Sequence, residues 1–132
     1  MKKKSVLDAF ALLAFLEEEA GHIRVKEILA SAEAVVLINA MNLGEVFYIL
    51  ARSRGMRTAE FFLTNILPSL PITILENPLD DVIEAARLKA LYPLSFADCF
   101  AASTAIRERA ALVTGDPEFR QLEKAIDIDW IG

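Results

Sequence analysis

Four carboxylates stand where carboxylates are costly. Asp8 directly follows the apolar run Ser5-Val6-Leu7, and Asp116 follows Ala111-Leu112-Val113 through Thr114-Gly115. Asp98 lies in Ser95-Phe96-Ala97-Asp98-Cys99-Phe100 and Glu45 in Asn42-Leu43-Gly44-Glu45-Val46-Phe47-Tyr48, each among largely apolar neighbours. A charge in such surroundings needs a partner. Capping is one explanation. Asp8 and Asp116 suit helix N-caps, the second ahead of Pro117, and Ser95 with Asp98 fits the S-x-x-D capping pattern. Glu45 also suits a solvated helix position. Capping leaves lone pairs free, however, and does not explain acids at two strand ends and on two apolar helices together. If the four converge, each raises its neighbours' pKa, and a divalent cation relieves the repulsion. An all-oxygen set selects Mg²⁺ or Mn²⁺, and the lack of a Cys/His cluster argues against zinc. Such an ion acidifies water and neutralises charge on a phosphoryl oxygen, which is the chemistry of phosphoester cleavage.

Other reactive side chains are few. His22, the single histidine, is expected in a polar turn after Gly21 and reads as a surface residue rather than a ligand. Cys99 is the lone cysteine, set among Ala97, Phe100 and Ala101, and reads as an inert buried thiol in a reducing, cytoplasmic setting. Met1-Lys2-Lys3-Lys4 resembles the start of a signal peptide, but Asp8 and Glu17-Glu18-Glu19 interrupt the apolar stretch after it, so no export signal or membrane span is expected.

The carboxylates need a scaffold, and the chain alternates strands with helices. Strands are predicted at Ser5–Leu7, Ala34–Ile38, Pro71–Leu75, Ala111–Thr114 and Ile126–Trp130, the last polar enough for a sheet edge. Helices are predicted over Ala9–Glu19, Arg24–Ser31, Ala40–Arg52, Thr58–Leu67, Leu79–Leu91, Ser95–Arg109 and Pro117–Leu122. This order implies one α/β domain over residues 1–132, a parallel sheet with helices on both faces, and ligand binding at the carboxyl ends of the strands. The 132 residues are 55% hydrophobic, which excludes disorder, and the net charge of −5 gives no overall attraction to polyanions. Any nucleic-acid role therefore rests on a metal or a local patch. Two candidate patches are Arg52, Arg54 and Arg57 around Gly55, and Arg107, Arg109 and Arg120 near the late strand. Phe61, Phe62, Leu63, Ile66 and Leu67 exceed the needs of one core-facing stripe and suggest a dimer surface.

Val6-Leu7-Asp8-Ala9, Asn42-Leu43-Gly44-Glu45-Val46, Leu94-Ser95-Phe96-Ala97-Asp98 and Val113-Thr114-Gly115-Asp116-Pro117-Glu118-Phe119 resemble, in order, the motifs of PIN-domain ribonucleases, and most closely VapC-type toxins of toxin–antitoxin pairs. The resemblance spans Ser5 to Trp130. It implies a five-stranded parallel sheet and an endoribonuclease using Mg²⁺ or Mn²⁺. Asp8 and Asp98 would be the main metal ligands, Glu45 and Asp116 would complete the acidic pocket, and Thr114 would add a hydroxyl near the metal. It also implies a homodimer and a VapB-type antitoxin whose tail covers the site. One position departs: Phe10 stands where the family commonly has a small hydroxyl residue. Two other readings compete. A haloacid-dehalogenase-like phosphatase would need a second Asp at Phe10 and an acid at Arg120, and a degenerate PIN domain would act only as a binding or dimerisation module.

Overall fold

The computed structural model describes residues 2–132. Five strands, β1 (Lys3–Leu7), β2 (Ala34–Asn39), β3 (Ile72–Leu75), β4 (Ala111–Thr114) and β5 (Ile128–Trp130), form one sheet in the order β3-β2-β1-β4-β5. All four pairings are parallel. From β1 the chain passes through α1 (Ala9–Leu16) and α2 (His22–Ala30) to β2, then through α3 (Ala40–Arg54) and α4 (Met56–Phe61) to β3. It returns through α5 (Leu79–Leu91) and α6 (Phe96–Glu108) to β4 on the other side of β1.

The alternation of side chains along each strand divides the core in two. Leu7, Val36, Ile38 and Val113 pack with Leu12, Val25, Val46, Leu50, Ala59 and Phe62 from α1–α4 and the turn that follows α4. Val6, Leu37 and Leu112 pack with Ala85, Phe100, Ala101 and Ala105 of α5 and α6 and with Phe119 and Leu122. Helices therefore cover both faces, as the strand sequences require. The direction of winding reverses between β1 and β4, so the crevice where open α/β sheets hold ligands falls at the carboxyl ends of these two strands.

Several local expectations are corrected. The helix predicted over Thr58–Leu67 is regular only to Phe61; a wider π-turn at Phe62–Ile66 and a 3-10 turn at Leu67–Ser69 complete it. Pro68 has no N–H to continue the ladder, and the Thr64 hydroxyl donates to the Glu60 carbonyl at 2.9 Å. This arrangement sends Phe62 and Leu67 into the core and leaves Phe61 55% and Leu63 39% exposed. His22 begins α2 rather than lying in a turn. Cys99 is buried, and burial pushes its thiol pKa up, in keeping with inertness. Among the described residues no helix is long and apolar enough to cross a membrane.

Candidate metal centre

Asp8 ends β1 and caps α1. Its Oδ1 accepts the Ala11 N–H at 2.8 Å, while its Oδ2 accepts the Thr114 hydroxyl at 2.5 Å from across the β1–β4 crevice. Thr114 Oγ1 in turn accepts the Asp116 N–H at 3.1 Å, so one hydroxyl fixes both strand-end acids. Asp8 is only 3% exposed. Burial drives its pKa from 3.8 to about 7; the bonds from Thr114 and Ala11 oppose that rise, and the charges of Asp98 and Asp116 add to it.

Asp116 caps the 3-10 helix Pro117–Leu122, accepting the Glu118 N–H at 3.0 Å. Asp98 occupies the first turn of α6, where the Ser95 hydroxyl accepts its N–H at 3.1 Å. Burial and then the charge of Asp116 lift its carboxyl to about 6, with smaller contributions from Glu45 and Glu118 against the opposing Ser95 hydroxyl. Glu45, half-buried on α3, is raised by burial first; the Asn42 amide one turn earlier opposes this and Asp116 adds to it.

Asn39 and Asn42 hold α3 against α6. Asn39 Oδ1 caps α3 by accepting the Asn42 N–H at 2.8 Å. Its Nδ2 donates to Asn42 Oδ1 at 2.7 Å, Thr104 Oγ1 at 2.9 Å and the Phe100 carbonyl at 3.2 Å. Asn42 Nδ2 donates to the Ala97 carbonyl at 3.0 Å. These bonds set the helix bearing Glu45 beside the turn bearing Asp98.

All four predicted carboxylates thus lie around the carboxyl edge of the sheet, but not as one equidistant set. The tightest group is Asp98, Asp116 and Glu118, each offering an oxygen within 4.8 Å of the others. Glu118 does not stand out in the sequence. Its signal is the Asp-Pro-Glu run, in which a 3-10 turn brings the third residue back beside the first. Asp8 and Glu45 stand outside this trio and are coupled to it through charge. Thr114, expected near a metal, donates its hydroxyl to Asp8. Phe10 does not deprive Asp8 of support, since Thr114 and Ala11 already engage both oxygens.

The second basic patch is divided. Arg107 pairs with the buried Asp81 of α5, and Arg109 terminates α6 in the left-handed region, both at the far end of the helix from Asp98. Arg120 alone of the three lies in the segment that follows Asp116. In the first patch Arg54 is paired with Glu17 of the α1 terminus.

The donor set fits a hard divalent cation. It is entirely oxygen, three carboxylates converge, and Asp8, Glu45 and Asp98 all resist ionisation in the absence of positive charge.

The comparisons agree with this architecture. The chain is similar in fold to VapBC2 from Rickettsia felis bound to a DNA fragment from its promoter, with TM-score 0.75, 19% identity, and 98% of this chain and 99% of that chain covered. It is equally similar to VapC20 of Mycobacterium tuberculosis, described as a sarcin-ricin loop cleaving toxin, with TM-score 0.75, 19% identity, and 98% and 100% covered. DNA-bound VapBC from Salmonella typhimurium gives TM-score 0.73 at 19% identity, with 98% of each chain covered. No curated protein sequence matches the chain. The family model for the PIN domain matches residues 5–125. With the strand order, the crevice and the strand-end acids already in place, that match shows that the chain belongs to the PIN domain family.

Proposed function

We propose that this protein is a divalent-metal-dependent endoribonuclease and the toxin of a toxin–antitoxin pair. The observation that carries the reading is the convergence of Asp98, Asp116 and Glu118 at the β1–β4 crevice, with Asp8 and Glu45 beside them. Asp8, Asp98, Asp116 and Glu118 would hold Mg²⁺ or Mn²⁺, with Glu45 completing the acidic pocket. When bound, the cation supplies positive charge opposite the scissile phosphate and makes water a better nucleophile. The chain's own groups do the rest. Thr114 holds the Asp8 carboxylate in one orientation, and Ser95 and Asn42 fix the turns that carry Asp98 and Glu45. Glu45, raised in pKa and outside the tight trio, is suited to accept the proton of the attacking water as general base.

The structural neighbours support the biological setting, because one is described as a sarcin-ricin loop cleaving toxin and two as VapBC assemblies on DNA. By that analogy we assign a VapB-type antitoxin as partner, a cytoplasmic location and a homodimer, with the exposed Phe61 and Leu63 as the dimer surface.

The deciding experiment pairs Mn²⁺ calorimetry with cleavage of a broad RNA panel. The parent should bind Mn²⁺ and cut RNA, EDTA should abolish cutting, and Asp98→Asn should lose most of both. Unchanged cutting in EDTA and in Asp98→Asn would refute the proposal. Mn²⁺ binding without cleavage of any RNA would leave a binding module.

A further inference from the structure

The edge that carries the acids continues past β4 onto β5. Trp130 ends β5 in register with Thr114, and the Ile131 N–H donates to the Thr114 carbonyl at 3.0 Å. Beside Trp130 opens a cleft of about 450 Å³ lined by Gly115, Pro117, Arg120, Glu123, Trp130 and Ile131. That volume lies within the range of ligand clefts, about 300–1,000 Å³. The cleft touches the acids through its own lining, since Gly115 and Pro117 are the residues on either side of Asp116.

Its walls carry the two groups that a nucleotide needs. Trp130 is 38% exposed, which leaves part of a large aromatic surface at the cleft wall. Arg120 is exposed and makes no ion pair among the described residues, unlike Arg54 and Arg107. An indole accepts a base by stacking, and an arginine next to it accepts a phosphate. Phe10 borders the same place. It is 43% exposed, and its ring lies so close over Gly115 that a Cβ there would collide with it. The rim between Asp8 and the cleft is therefore also aromatic. A simple anion would meet the guanidinium of Arg120 here but also the carboxylate of Glu123; a ligand that presents a flat ring together with one phosphate uses both Trp130 and Arg120.

We propose that the Trp130–Arg120 cleft is a nucleotide subsite, which stacks an unpaired base of the RNA on Trp130 and pairs the adjoining phosphate with Arg120 next to the scissile bond. The assignment rests on the ribonuclease reading and gives it a contact that only an unpaired base can make, because a base inside a duplex has no free face to stack. It also supplies, beside the acids, the local positive charge that the net charge of the chain withholds.

Trp130 is the only tryptophan, so its emission reports on this cleft directly. The full chain is titrated with a short single-stranded oligoribonucleotide in Ca²⁺, following indole emission, and in parallel by anisotropy of the end-labelled RNA. Emission should fall with the same midpoint as the anisotropy rise, and a blunt duplex of the same sequence should leave it unchanged. Arg120→Glu, at an exposed position, should weaken binding about ten-fold or more, and Trp130→Leu about ten-fold, with Trp130→Phe recovering most of the loss. With Mn²⁺ the same variants should raise KM far more than they lower kcat. RNA that binds and is cut without perturbing the emission, and with full affinity in Arg120→Glu, would overturn the subsite and leave the ribonuclease reading intact; a cleft reserved for a protein partner gives that result. Quenching by RNA that is never cut would uphold the subsite and refute the ribonuclease reading. No RNA binding at all would refute both.

Discussion

Replacing Asp8 with Asn in metal-free protein should reverse its effect on stability with pH. In the folded chain the Asp8 carboxyl is driven from 3.8 to about 7, mainly because it is buried at the end of β1. A group raised in this way stabilises the fold below its unfolded pKa, and the contribution is lost as pH rises through the folded value. A displacement of roughly three pH units corresponds to about 4 kcal/mol of destabilisation carried by the parent at pH 8, as an order of magnitude. Asp8→Asn removes that charge and keeps an oxygen for the Ala11 N–H, bonded at 2.8 Å in the parent. Its amide nitrogen cannot accept the Thr114 hydroxyl that now donates to Oδ2 at 2.5 Å, a loss of about 1–3 kcal/mol that does not depend on pH. The two effects separate because only the first titrates. Urea unfolding in EDTA at pH 5 and pH 8 should show the variant gaining about 2–3 kcal/mol relative to the parent between the two conditions. Adding Mn²⁺ at pH 8 should then favour the parent again, by about 2.7 kcal/mol at a hundred times its Kd. Parallel stability curves for the two proteins from pH 5 to pH 8 would refute the claim that Asp8 is buried at an energetic cost that metal relieves.

Mn²⁺ affinity should weaken as pH falls through 7 and then 6, because protons compete for Asp8 and Asp98, with folded values of about 7 and about 6; calorimetry across that window checks it, and a flat profile would contradict it. Glu118→Gln should reduce Mn²⁺ affinity several-fold yet leave the melting temperature of the metal-free protein nearly unchanged, since Glu118 is exposed. Leu63→Glu should convert a dimer to a monomer in sedimentation at micromolar concentration while retaining the fold, because Leu63 lies outside the core.

The sequence makes legible what short-range chemistry decides. Leu79–Leu91 and Ala111–Thr114 have the same limits in sequence and structure, the first because Pro78 opens it and the second because an uncharged run ends at Thr114-Gly115. The four acids are visible because Asp8 and Asp116 follow apolar strands while Glu45 and Asp98 sit among apolar helix residues. Glu118 is not, since its neighbours are ordinary and only the backbone of a 3-10 turn brings it to Asp98. The same limit hides the pairing of Arg107 with Asp81 and the Asn39–Thr104 bond, in which residues far apart in sequence are joined by helix packing. Thr58–Leu67 misleads because its apolar spacing continues past the point where Pro68 no longer allows an α-helical hydrogen bond.

The bond between Asp8 and Thr114 joins residues 106 positions apart, and β4 is a central strand supplied by the last quarter of the chain. During synthesis β1 can pair with β2 early, but its other edge must wait for residues 111–114 to leave the ribosome. Until then β1 presents unpaired backbone, and the acids of the first half have no Asp98, Asp116 or Glu118 to join. A chain broken off in mid-translation therefore carries half a crevice and cannot assemble the acidic trio. No chemistry that depends on the acidic trio can therefore begin until residues 111–118 have been made and β4 has joined β1.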